Sequence, residues 1–163
     1  LNLVAIARKA CRQRSRMLIG AGVSLDFAIA DALEVLADAK WTDFIIGQAL
    51  ENSAKYGAKT IRFEGAVRYA GTKGGCIELI ISDDGDGIPA ADVPRVFDRG
   101  FTGSRGRAHH KATGMGLYLA AVACERMGLK AMRALSLPGR VAPKAAGEII
   151  KNAVYNITEE DLR

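Results

Sequence analysis

Three groups of residues in this chain have the types and spacing for chemistry on a flat, phosphorylated ligand. The first is Ser82-Asp83-Asp84-Gly85-Asp86-Gly87-Ile88, directly after an apolar run. A carboxylate at the end of a buried strand can accept a hydrogen bond from the amino group of a heterocycle, and nearby glycines let a ring approach the backbone. That assigns Asp83 as the acceptor, with Gly85 and Gly87 beside it; the plainer reading is a glycine turn with solvated carboxylates. A calcium loop fits poorly, because its twelfth position, where a bidentate glutamate belongs, is Val93. The second group, Gly114-Met115-Gly116-Leu117, opens an apolar helix, whose free N–H groups and positive dipole end make a seat for phosphate. It lacks the third glycine of a dinucleotide fingerprint and the Gly-Lys-Ser/Thr of a Walker loop. Just before it, Arg99 to Thr113 carries Arg99, Arg105, Arg107, Lys111, His109 and His110 and no carboxylate, and Arg95 lies just upstream. The third group sits on a predicted helix from Thr42 to Tyr56, with Thr42 or Asp43 as its cap. Projected at about 100° per residue, Ile45, Gln48, Asn52, Lys55 and Tyr56 share one side, and Ile46, Leu50 and Ala54 share the other. An amide such as Asn52 can ligate Mg²⁺ through its oxygen, and a lysine one turn on can neutralise phosphate charge. A solvated polar stripe is the alternative.

Other elements must position these groups. Apolar spacing predicts one amphipathic helix over residues 3–19 with a basic outer face, and short strands at Val23 to Phe27 and Glu34 to Leu36. Thr60 to Val67 and Cys76 to Ser82 read as a hairpin joined through Gly71 to Gly75. A short helical segment ends near Phe97, a helix spans Leu117 to Met127, and Lys130 to Leu135 is a strand candidate. Trp41 and Phe44 read as core. Residues 141–163 carry no assignable pattern.

At 163 residues the chain is one domain's worth. With 49% hydrophobic and 25% charged residues, it has the balance of a globular domain and not of a disordered tail. Its 18 glycines exceed the usual ~7% and call for close approaches of backbone. A net charge of +5 favours an anionic ligand or partner. No apolar run approaches the roughly 20 residues of a membrane helix. Cys11, Cys76 and Cys124, odd in number and without a Cys-x-x-Cys pair, read as reduced, buried thiols of a cytosolic protein. Beginning at Leu1 without a basic-then-apolar leader, the chain reads as a fragment of a longer one.

Phe44 to Tyr56 (FIIGQALENSAKY) resembles the asparagine box of sensor histidine kinases. Asp83-Asp84-Gly85-Asp86-Gly87-Ile88 resembles their first glycine box, Val96-Phe97-Asp98-Arg99-Gly100-Phe101-Thr102-Gly103 the phenylalanine box, and Thr113-Gly114-Met115-Gly116-Leu117-Tyr118-Leu119 the second glycine box. All four stand in family order and spacing over about residues 1–136, and look most like the small Gram-positive membrane kinases that sense antimicrobial peptides. The resemblance implies a two-layer α/β sandwich, a mixed sheet covered on one face by helices, within residues 1–140; residues 141–163 form an atypical C-terminal segment. It implies ATP and Mg²⁺ as cofactors, with Asn52 on the metal and Lys55 on phosphate. Tyr56 would flank adenine, and Asp83 would bind its amino group. Gly85, Gly87 and Ile88 would shape the base pocket, and Thr113, Gly114, Met115, Gly116 and Leu117 the phosphate seat. The lid would run from Phe97 to Lys111 and carry Thr102 and Gly103, with Arg107, or failing it Arg105, on the γ-phosphate. Asn52, Lys55 and Arg107 would be the catalytic set.

Relatives that hydrolyse ATP, such as gyrase and the mismatch-repair proteins, carry a glutamate one turn before the asparagine; here it is Gln48, which cannot take a proton, and Glu51, about 100° round the helix from Asn52, is expected to face elsewhere. The resemblance therefore favours phosphoryl transfer to a histidine on a separate dimerisation domain, with a response regulator downstream. The expected setting is a cytoplasmic domain of a membrane-anchored parent, itself making no membrane contact. The phosphoacceptor histidine is absent, and a Gly-x-Gly-Thr turn with a closing strand is replaced by Pro138 to Lys144, which leaves the last strand missing or displaced. A degenerate nucleotide-binding regulatory module is the alternative. Nucleic-acid binding is not expected, since the cations lack interleaved aromatics.

Overall fold

The computed structural model describes residues 1–68, 76–103, 112–129, 132–133 and 151–158, the last two stretches and residues 68 and 76 by backbone alone. The elements are α1 (Leu3–Gln13), α2 (Ser15–Gly20), β1 (Ser24–Ala28), α3 (Ala39–Lys55), β2 (Thr60–Arg68), β3 (Cys76–Asp83), a 3-10 turn (Val93–Arg95), α4 (Gly116–Arg126), β4 (Met132–Arg133) and β5 (Lys151–Thr158). They form a mixed sheet in the order β1-β2-β3-β5-β4. Strands β1 and β2 run parallel, and the other neighbours pair antiparallel. The expected two-layer α/β sandwich is what the chain adopts.

Period-2 alternation explains the layers. Ile61 and Phe63 of β2 and Ile77, Leu79 and Ile81 of β3 turn to one face and join Leu3, Ile6, Ile45, Ile46, Leu50, Ala120 and Ala123 of the helices in one core. Phe63 is fully buried and stacks on Phe27, with ring centroids 4.9 Å apart. Arg62 and Glu64, one residue off that register, take the other face, where Arg62 pairs with Asp26 at 2.6 Å.

Several sequence expectations are corrected. The single helix over residues 3–19 is two, broken at Arg14. There the guanidinium turns back to donate to the Ala10 carbonyl and reaches the Asp43 carboxylate, so a tertiary ion pair overrides helix continuity. The strand at Glu34 to Leu36 is only a bridge, Asn2 to Glu34. Helix α3 starts earlier than expected: Asp38 is its cap, accepting from the Trp41 N–H at 2.9 Å, and Thr42 instead donates to the Asp38 carbonyl. Trp41, in the first turn, is 48% exposed and edge-on to Phe44, so of this pair only Phe44 packs on the core. Cys11 and Cys124 are buried free thiols, and burial pushes both up to about 11. Within the stretch the sequence left unassigned, β5 pairs with both β3 and β4 and shifts register opposite Ile81 and Ser82, beside Asp83. The Gly71 to Gly75 turn and the Cys76 side chain lie outside the described residues.

Asp84 is a structural latch. Its Oδ1 accepts from the Lys59 and Thr60 N–H groups at 2.7 and 2.8 Å, fixing the start of β2. Asp84→Ala should cost about 1–2 kcal/mol, read as a lower urea midpoint with an unchanged slope.

Candidate functional site

A cavity of about 330 Å³ opens between α3, the loop after β3 and the start of α4. Helix α3 contributes Gln48, Asn52, Lys55 and Tyr56, the polar side that helical projection isolates. Asn52 makes no side-chain hydrogen bond to other described residues, which leaves its amide available to a ligand. Lys55 holds its ammonium 5.1 Å from the centroid of the Tyr56 ring.

Asp83 ends β3 at the cavity wall, 4% exposed. One carboxylate oxygen accepts from the Ser53 hydroxyl at 2.6 Å and the other from the Gly85 N–H at 2.9 Å. Burial pushes its pKa above the ordinary value; the Ser53 and Gly85 hydrogen bonds oppose the rise and the neighbouring Asp84 charge adds to it. Two fixed donors leave the remaining lone pairs aimed by geometry and not by rotamer search, which suits an acceptor for a ring amino group.

The β3 loop is anchored under the end of α3. Asp86 N–H donates to the Tyr56 carbonyl at 2.9 Å. A Cβ on Gly85 would lie 2.8 Å from that same carbonyl oxygen. Gly85 is thus required by backbone packing and does not line the cavity, whereas Gly87, at φ +71°, and Ile88 do.

The far wall holds Thr102, Gly103, Thr113, Gly114, Gly116 and Leu117. Gly100 N–H donates to the Gly114 carbonyl at 3.0 Å, so the segment between them leaves and returns at one point. Among the described residues no side chain caps the first turn of α4, which leaves its N–H groups for an acceptor at the cavity. Met115, expected in the phosphate seat, does not line it. Arg105, Arg107, Lys111, His109 and His110 lie outside the described residues.

Ser53, Asp92 and Phe101 also line the cavity and are not singled out from sequence; Glu51, which the sequence turns about 100° away from Asn52, lines it too, its carboxylate meeting Arg14 and the Gln48 amide. A serine in mid-helix, where it is neutral to unfavourable, beside a candidate ligand is the signal that could have found Ser53. For Phe101 the signal is its place inside the cationic segment; Asp92 gives none.

Residues 37–148 match the family described as histidine kinase-, DNA gyrase B-, and HSP90-like ATPase. The chain is 39% identical over 121 residues to the sensor protein BceS of Bacillus subtilis, covering 74% of this chain and 34% of that one. It is 40% identical over 112 residues to the sensor histidine kinase GraS of Staphylococcus epidermidis, covering 68% and 30%. It therefore spans about a third of the length of these relatives. Among solved structures, the catalytic domain of the histidine kinase ThkA superposes with a TM-score of 0.74 at 16% identity, covering 99% of this chain and 96% of that one. The mycobacterial sensor histidine kinase MprB gives 0.65 at 19%, covering 97% and 94%.

Proposed function

This chain belongs to the histidine kinase-, DNA gyrase B-, and HSP90-like ATPase family, and we propose that it is the ATP-binding catalytic part of a two-component sensor histidine kinase. Its reaction would transfer the γ-phosphoryl group of ATP to a histidine on a separate dimerisation domain of the same kinase, which then serves a response regulator. One observation carries the reading. A buried, doubly hydrogen-bonded carboxylate, an asparagine amide with no side-chain partner among the described residues and a helix start without a side-chain cap among them line one cavity large enough for a nucleotide.

On this reading Asp83 accepts the adenine amino group and Tyr56 flanks the base. Lys55 and the first turn of α4 take phosphate charge, and Thr102 and Gly103 close over the ligand. Arg107, or failing it Arg105, would meet the γ-phosphate. Among the described residues no group of three or more His, Cys, Asp or Glu side chains could hold a metal. That donor set suits a cation arriving with the nucleotide, needing one or two protein oxygens; Asn52 would supply one. Mg²⁺ held there would neutralise phosphate charge. Gln48 offers no proton acceptor for water, and the Glu51 carboxylate is engaged by Arg14 and the Gln48 amide, so positioning and charge neutralisation support transfer over hydrolysis. Residues 1–140 would hold this machinery, and residues 141–163 add β5. Among the described residues no helix is long and apolar enough to cross a membrane; a cytoplasmic place beneath an anchored parent is part of the same proposal.

The test is to mix the chain with the separately purified dimerisation domain of its parent and γ-labelled ATP with Mg²⁺. Acid-labile label on the dimerisation domain's histidine is expected. Intact ATP binding without transfer would leave a regulatory module instead. Asn52→Ala should remove most of the tightening that Mg²⁺ brings to ATP binding, about tenfold, measured by calorimetry with and without EDTA.

A further inference from the structure

One chain of contacts runs from the first helix into the cavity without touching the residues assigned to adenine. A Cβ on Gly47 would fall on the Arg14 guanidinium, so this glycine opens a slot in α3 in which Arg14 lies. From that slot Arg14 Nε faces Glu51 Oε1 at 3.7 Å, while its terminal nitrogens reach Asp43 at 3.4 Å. The other Glu51 oxygen accepts from the Gln48 amide at 3.4 Å. With its nitrogen so engaged, Gln48 turns its oxygen onto Gly116, the first residue of α4, where a Cβ would collide with it. Two glycines, one at each end, thus admit the side chains of this chain of contacts.

We propose that Arg14, Glu51 and Gln48 are positioning residues that set the start of α4 against α3, and so the phosphate seat against Asn52 and Lys55. The inference rests on the reading of this cavity as a nucleotide site. It gives Gly116 a reason besides close approach of phosphate: a Cβ there would displace the Gln48 oxygen from its place against α4. Arg14 does not itself line the cavity and meets it through Glu51. The relay bears on the phosphate end of the ligand alone.

A double-mutant cycle on the full chain tests it, with Mg-ADP and adenosine as probes and melting temperature recorded alongside. Gly116→Ala should weaken Mg-ADP by about tenfold when Gln48 is present and by less than about twofold in the Gln48→Ala background. Adenosine affinity should move by less than about twofold throughout. Arg14→Met should weaken Mg-ADP several-fold with adenosine unchanged. Equal cost of Gly116→Ala in both backgrounds would overturn the proposal, as would an Arg14→Met protein that melts lower yet binds Mg-ADP normally. If the unmutated chain bound neither probe, the nucleotide reading would fail by itself. The cycle in melting temperature would then decide the contact: coupling between positions 48 and 116 supports it, and additivity overturns it.

Discussion

Asp83→Asn is expected to weaken adenine-nucleotide binding by about 10- to 100-fold while leaving the fold as stable as before, or more so. A hydrogen bond to a charged acceptor contributes about 1.5–3 kcal/mol, which sets the range. The amide can keep its oxygen on the Gly85 N–H and turn its nitrogen to the Ser53 hydroxyl, which can accept as well as donate. The fold therefore retains both contacts and sheds a buried charge. The pH dependence has two signs. Burial raises the folded-state pKa above the ordinary 3.8, so the stability linked to this group is full below 3.8 and lost as pH rises through the folded value. Binding needs the carboxylate, so affinity falls as pH drops through that same value. Calorimetry and melting curves from neutral to mildly acidic pH measure both. An Asn variant that binds like the parent removes Asp83 from the base pocket.

Gly114→Ala should be the most damaging single methyl in the site. Gly114 sits at φ +66°, where an L side chain costs about 1–2 kcal/mol. Its Cβ would also collide with the Gly100 carbonyl and lie 2.7 Å from the Phe101 nitrogen, and neither backbone group can swing aside. Overpacking of this kind adds about 1–3 kcal/mol, so a total loss of about 2–4 kcal/mol in the urea-derived stability is expected. Binding should suffer further, since parting Gly100 from Gly114 moves the start of α4, and a displacement of ~1 Å can cost about 100-fold in a positioned site. Gly100→Ala supplies the comparison. Its φ is +75°, but its Cβ would meet nothing within 4 Å, so only the conformational cost of about 1–2 kcal/mol should appear. Equal effects at the two positions would show that the close approach at Gly114 is unimportant.

How much of this could be read beforehand follows from range. The cavity side of α3 was legible because helical periodicity is local: Gln48, Asn52, Lys55 and Tyr56 project together wherever the helix lies. Asp83 was legible as a carboxylate ending an apolar run. The break at Arg14 was not, because its cause is Asp43, 29 residues on. Nor was the true cap of α3, where Asp38 precedes two equally plausible cap residues. Trp41 was misplaced because hydrophobicity does not say which side of a first turn meets the core. Gly85 and Gly116 were read as space for a ligand, while protein atoms crowd both, Tyr56 and Asp83 at one and Gln48 at the other. A glycine's type announces a close approach but not what approaches. β5 was out of reach for a related reason, since its register is set by β3 and β4 and not by its own pattern.

The backbone bond between Gly100 and Gly114 has a consequence for variation. A loop pinned at its root is thermodynamically an insertion, whose closure entropy grows only as the logarithm of its length: doubling it costs about 0.6 kcal/mol. Chain length between these roots can therefore change with little penalty to the core, provided both root glycines and the cavity-lining Phe101, Thr102, Gly103 and Thr113 stay. Length between the two roots can thus diverge among descendants of one ancestor while the cavity is kept.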